Sequence, residues 1–241
     1  MKSNYQSQLD SIISSLEKNA GTAQDSATAN AFSYAKPRLL LHACCGPCSS
    51  YVLEYLSKYF DITILYYNPN IAPEEEYFRR LEELKNLLPR FKPAVENKVK
   101  LVEDSYNPEE FYSAIGVREN PELAHEPEKG ERCRRCYKFR LERAFIYAAK
   151  HGFDYFCTTL SISPFKDAEK INIEGKLIEE AAGTKVPEWL PSDFKKKGGF
   201  KRSLELSEEY GLYRQQYCGC IYSKINTEKQ RSELSSKYSE K

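Results

Sequence analysis

Eight cysteines stand in this 241-residue chain, and seven fall in three short groups. These are Cys44-Cys45-x-x-Cys48, Cys133-x-x-Cys136 and Cys218-x-Cys220, with Cys157 alone. Thiols that merely fill a core have no reason to cluster, whereas metal and redox chemistry requires it. Cys44 and Cys45 precede Gly46-Pro47 at the end of an apolar run. That is a strand-to-helix turn, where helix N-terminal amides favour anionic thiolates. Adjacent cysteines are poorly disposed to bond each other, but both can reach one polynuclear centre. Cys133 and Cys136, spaced i and i+3 at the opening of a helix, present both sulfurs on one face. The four together suit a [4Fe–4S] cluster or a structural zinc ion. Two features favour iron: structural zinc sites usually use paired CxxC knuckles rather than a Cys-Cys dipeptide, and this site falls where an α/β sheet binds substrates.

Cys48 lies one helical turn beyond Cys44 and Cys45 and should face the same space. It reads as an alternative ligand, a ligand to an additional metal ion near the cluster, or a reserve thiol, against the plain reading of a half-buried helix cysteine. Cys218-Gly219-Cys220 is a separate device. A disulfide across one residue closes a small, strained and easily reduced ring, so the pair can cycle between dithiol and disulfide and hold two electrons. Gly219 permits the tight backbone. Cys157, inside an expected strand, reads as core filling. His42, His125 and His151 show no ligand spacing.

The elements that must position these groups alternate. Short apolar runs at 38–43, 61–67, 99–104 and 153–160, with a weaker one at 185–189, read as strands. Helical spacing follows Gly46-Pro47 and recurs over 74–88, 108–115, 136–150 and 171–182. Continuous rather than alternating apolar residues in the strands predict a parallel sheet covered on both faces. Cys44 and Cys45, Asn68 to Asn70, Asp104 and the stretch Thr158 to Ser163 all follow strand ends, so they should converge on one edge. Thr158, Thr159, Ser161, Ser163, Lys166 and Asp167 then either line a polar pocket or cap the next helix.

Residues 1–35 read as a flexible N-terminal extension. Leu9, Ile12, Ile13 and Leu16 form a short amphipathic helix there, followed by a linker over 19–30. Residues 36–225 form a single α/β catalytic domain with a C-terminal helical extension, and 226–241 a polar tail. No run of residues is apolar enough to span a membrane, and the N-terminus lacks a secretory pattern. The expected location is the cytoplasm, which favours metal or redox use of the cysteines over a disulfide framework.

With 36 Lys and Arg against 35 Asp and Glu, the net charge of +1 carries no global nucleic-acid signature. Locally, however, Arg132, Arg134, Arg135, Lys138, Arg140 and Arg143 crowd the CxxC pair. A second set, Lys195, Lys196, Lys197, Lys201 and Arg202, surrounds Gly198-Gly199. Arg132, Arg134, Arg135, Lys138, Lys196, Lys197 and Arg202 are the candidate RNA contacts. Tyr210, Tyr213, Tyr217 and Tyr222 interleave with Arg214, equipment for looped RNA or ordinary packing.

Five segments, taken together over about residues 37–223, resemble the QueH family of epoxyqueuosine reductases. They are LLLHACCGPCSS (39–50), YYNPNIAPEEEYFRR (66–80), RCRRCYKFRLERA (132–144), TTLSISPFKD (158–167) and RSLELSEEYGLYRQQYCGCIYS (202–223). The resemblance implies a Rossmann-like parallel sheet similar to that of the adenine-nucleotide α-hydrolases. The SGGxDS loop of ATP-using members is replaced here by HACCGPCSS, so no ATP is expected. It assigns [4Fe–4S] ligation to Cys44, Cys45, Cys133 and Cys136, and a redox-active disulfide to Cys218 and Cys220, with neither flavin nor cobalamin. The activity it implies is two-electron removal of the epoxide oxygen of epoxyqueuosine at the wobble position of tRNA, with an electron donor that the sequence does not identify. The rival readings are a zinc-stabilised tRNA-binding protein and a sulfur-transfer or ATP-dependent tRNA-modifying enzyme on the same fold.

Overall fold

The computed structural model describes residues 4–25, 35–183 and 187–239. In chain order the elements are α1 (Tyr5–Asp25), β1 (Arg38–His42), α2 (Gly46–Leu56), β2 (Asp61–Tyr66), α3 (Glu74–Leu87), α4 (Lys92–Glu96), β3 (Lys100–Glu103), α5 (Pro108–Ile115), α6 (Glu131–Lys150), β4 (Tyr155–Thr158), α7 (Ala168–Ala182), β5 (Glu188–Trp189), α8 (Gly199–Glu209) and α9 (Ile221–Ser239). The five strands pair in the order β3-β2-β1-β4-β5, all parallel. This is the parallel sheet that the apolar runs predict, in the Rossmann-like arrangement that the family resemblance implies.

Leu39 to His42 of β1 and Ile62 to Tyr66 of β2 are all buried, because both faces of the sheet are covered. Alternate strand residues serve opposite layers. Leu39, Leu41, Ile62 and Ile64 pack against Val52 and Leu53 of α2, Leu84 of α3 and Leu206 of α8. Leu40, Leu65 and Phe156 pack against Leu141, Ala144 and Ala148 of α6 and Ile171 and Ile178 of α7.

Several boundaries differ from the sequence expectation. The N-terminal extension contains a packed helix of 21 residues, with Leu9 and Ile13 buried in the first core layer. It runs through 19–25, where a linker was expected; residues 26–34 lie outside the described residues. The apolar side of α1 is buried in that layer, while Gln6 and Asp10 hydrogen-bond the Tyr55 hydroxyl of α2. Helix α6 starts at Glu131 rather than 136, so both CxxC cysteines are inside it. The expected tail continues as α9 through Ser239. Residues 185 and 186 of the weak fifth strand lie outside the described residues, and β5 covers Glu188–Trp189. No helix among the described residues is long and apolar enough to cross a membrane.

Candidate active site

The order of the sheet reverses between β2-β1 and β1-β4, which opens a crevice at the carboxyl ends of β1 and β4. Cys44 follows β1, and Cys45 is the N-cap of α2, with extended backbone (φ −173°, ψ 163°). Pro47 suits the first turn, where its missing N–H has no helical partner to lose. The Cys45 carbonyl accepts from the Ser49 amide at 3.2 Å and its hydroxyl at 2.7 Å. One turn on, Cys48 returns to the same side, and the sulfurs of Cys44, Cys45 and Cys48 all lie within 4.8 Å of one another. This triad is a donor set that could hold a metal ion. Hydrogen bonds from Cys45 and Cys48 hold the Cys44 thiol well below its usual value. Burial pushes Cys45 up to about 12, and its two neighbours raise Cys48. Metal binding there would release the remaining protons.

Cys133 and Cys136 gather elsewhere in the same region. With Cys218 and Cys220 they line a cavity of about 20 Å³. Burial raises both helix thiols, Cys133 to about 11. The sulfurs of Cys218 and Cys220 are 3.7 Å apart, and the Cys218 amide donates to Ser223 Oγ at 3.0 Å. A hydrogen bond from Cys220 holds the Cys218 thiol well below its ordinary range. Gly219 between them has φ +127°, and a Cβ there would meet Arg80 Nη1 at 3.0 Å.

The two thiol groups share their surroundings. Cys44, Cys45 and Cys133 border one apolar cluster. The charges of Arg140 and Lys166 act on both Cys44 and Cys136. A larger cavity of about 470 Å³ is walled by Cys48, Cys218, Lys166, Phe165, Gln215 and Tyr217, among others. Lys166 and Cys218 line both cavities.

Four buried cations stand around the thiols: Arg80, Arg132, Arg140 and Lys166. Arg80 Nε donates to Glu76 Oε1 at 2.7 Å, and Nη1 to the Cys218 carbonyl at 3.2 Å, which ties the Cys-Gly-Cys loop to α3. Arg140 Nη1 donates to Asn68 Oδ1 at 3.2 Å, while its Nε is buried without a partner. Asn68 in turn donates to the Ala43 carbonyl at 2.8 Å. Beneath lies His42. Its Nε2 meets the Tyr67 carbonyl at 3.0 Å, and Nδ1 the Thr158 hydroxyl at 2.8 Å. A carbonyl can only accept, so Nε2 carries the proton and Thr158 donates to Nδ1. Burial, then Arg140, lowers the His42 pKa to about 3, and the ring stays neutral.

Most of the candidate RNA contacts are already engaged. Arg132 is buried and donates to the carbonyls of Leu123 and Ala124 at 2.7 and 2.9 Å. Arg134 pairs with Glu131 and Glu174, and Arg135 with Glu131. Lys138 lies 3.7 Å from Glu142, Lys197 2.7 Å from Asp10 and Arg202 2.8 Å from Glu54. Lys196 is exposed. Tyr213 bonds Glu76, and the Tyr217 hydroxyl donates to the Ala72 carbonyl, so these tyrosines pack the loop before α9. Arg80 and Gln215, which touch the thiol loops directly, carry no local sequence signal beyond their place in the resembling segments.

Fold and site define an α/β protein of Rossmann type, with a thiol-rich, metal-capable centre at the carboxyl edge of its parallel sheet and a dithiol beside it. The chain belongs to the epoxyqueuosine reductase QueH family, whose sequence model matches residues 39–226. It is 44% identical over 188 residues to the epoxyqueuosine reductase QueH of Streptococcus pyogenes serotype M1, covering 78% of this chain and 71% of that protein. The Staphylococcus epidermidis protein of the same name is 38% identical over 222 residues, 92% of this chain and 85% of its own. That of Thermotoga maritima is 35% identical over 205 residues, with 83% and 96% covered.

Proposed function

We propose that this chain reduces the epoxide of epoxyqueuosine in tRNA to the alkene, with release of water. The observation that carries this reading is the cavity of about 470 Å³ whose wall holds Cys48 and Cys218, so one bound molecule meets both thiol groups. Its size suits a small, partly polar substituent carried on a macromolecule.

In this reading a [4Fe–4S] cluster would be held by Cys44, Cys45, Cys133 and Cys136. Four soft donors are available, and the buried, partly orphaned Arg132 and Arg140 call for an anionic group beside them. When bound, the cluster supplies one-electron transfer at low potential. Cys48, close to Cys44 and Cys45, is free to hold an additional metal ion. The reaction needs two electrons and two protons, and Cys218 and Cys220 can hold both as a dithiol. Arg80 fixes their loop by its bond to the Cys218 carbonyl. An external donor restores the dithiol, and no flavin, cobalamin or ATP takes part. The polypeptide from 36 to 225 forms the catalytic unit, working in the cytoplasm, where tRNA is modified. Among the basic residues, Lys196 has the exposure to meet phosphate.

The test is incubation of anaerobically reconstituted protein with epoxyqueuosine-containing tRNA and dithionite, followed by nucleoside analysis. Queuosine is expected. Unchanged epoxide with the visible iron–sulfur absorbance intact would overturn the reading, and a colourless zinc protein would favour a tRNA-binding role instead.

A further inference from the structure

We propose that Lys166 is a catalytic residue of this reaction, its ammonium group binding the epoxide oxygen and holding it while the C–O bonds break. The proposal rests on the epoxyqueuosine reductase reading above.

Lys166 is 7% exposed, on the turn between β4 and α7. The backbone on both sides is pinned. The Lys166 amide donates to the Ser163 carbonyl at 3.2 Å and the Phe165 amide to Ser163 Oγ at 3.3 Å. Asp167 caps α7 by accepting from the amides of Glu169 and Lys170 at 3.0 and 3.2 Å. The turn therefore fixes the inward direction of the side chain. Its charge faces Cys44, Cys48 and Cys218, with Arg140 as a like-charged neighbour. Arg80 answers Glu76 and two carbonyls, and Arg140 answers Asn68, but the Lys166 ammonium meets no hydrogen-bond acceptor among the described residues. A buried ammonium is costly until an oxygen or an anion meets it. Of the four buried cations, Lys166 alone lines the cavity of about 470 Å³. It is the buried charged donor that a molecule in that cavity would encounter, with Gln215 and Tyr217 as neutral ones.

An ammonium is a compact charge with three donors, suited to an oxygen that gains negative charge as it leaves carbon. In the net step both C–O bonds of the epoxide break and a C=C bond forms. Cys218 and Cys220 pass from dithiol to disulfide, giving their two electrons to the carbons. The oxygen leaves as water with the two thiol protons. Lys166 keeps its own proton, so its part is positioning and charge stabilisation of the oxygen.

The competing role is simple charge balance for the thiolates. Lys166→Met, Lys166→Arg and Lys166→Ala separate the two. Lys166→Met is expected to retain iron content and visible spectrum. Without reductant, it should bind queuosine tRNA as the unaltered protein does, but lose any preference for the epoxide form. Single-turnover reduction should fall about 10²–10³-fold, the usual cost of one oxyanion donor. Lys166→Ala should recover part of its rate with added propylammonium. Undiminished turnover in Lys166→Met would overturn the proposal, as would iron loss in Lys166→Met that Lys166→Arg reverses. Failure of the unaltered protein to reduce the epoxide would strike the functional reading itself, a result distinct from either.

Discussion

Gln215 Nε2 donates a hydrogen bond to Cys45 Sγ at 3.2 Å, joining the loop before α9 to the start of α2 across 170 positions of sequence. The other end of the same amide, Oε1, is buried without a partner. A donor to a ligand sulfur raises the reduction potential of the centre by stabilising added negative charge. Gln215→Leu is therefore expected to move the midpoint potential of the reconstituted protein downward. Potentiometric titration followed by visible absorbance measures it, and an unmoved potential would show that the contact only packs the loop.

The cysteines differ in what they should hold. Serine at Cys44, Cys45, Cys133 or Cys136 is expected to lower bound iron and weaken the visible band, because each removes one of the four soft ligands proposed above. Cys48→Ser should leave the band and remove only iron in excess of sulfide. The iron-to-sulfide ratio decides this, and an unchanged ratio assigns Cys48 to the helix face.

The pair Cys218 and Cys220 should be required for turnover but not for colour. A Cys218→Ser/Cys220→Ser protein is expected to keep its spectrum and lose reduction of epoxyqueuosine tRNA with dithionite. Full turnover in that protein would remove the relay role.

Arg143 makes two hydrogen bonds of 2.7 Å to the Asp104 carboxylate. Burial raises the Asp104 pKa, but the guanidinium outweighs it and the carboxyl sits below its ordinary value. A lowered folded pKa means stability present above the unfolded value of about 3.9 and lost as pH falls through the folded one. Asp104→Asn should cost about 1 kcal/mol at neutral pH, since Arg143 is partly exposed and screened. The difference from the unaltered protein should shrink as urea unfolding is repeated below pH 4.

Gly199 opens α8 with no room for a side chain. A Cβ there would lie 2.1 Å from the Phe194 carbonyl oxygen and 2.4 Å from the Tyr51 ring. Backbone cannot yield as a flexible side chain does, so Gly199→Ala should destabilise by about 1–3 kcal/mol in urea unfolding.

What the residue order alone determined is the parallel sheet and the address of the chemistry. Strands covered on both faces read as nearly continuous apolar runs, and that demand is written in Leu39 to Leu41 and in Ile62, Ile64 and Leu65 without reference to anything distant. Strand ends then place Cys44 and Cys45 at the binding edge, and the five segments name the family. Tertiary structure decided the rest. That Arg80 and Gln215 hold the thiol loops and that α1 packs on the core depends on contacts made across long stretches of sequence. The basic crowding around the CxxC pair is visible in the sequence, but its pairing is not. Glu131, Glu174 and the carbonyls of Leu123 and Ala124 take up Arg132, Arg134 and Arg135. Lys166, one residue from an ordinary helix cap, shows its inward direction only once the turn around Ser163 is folded.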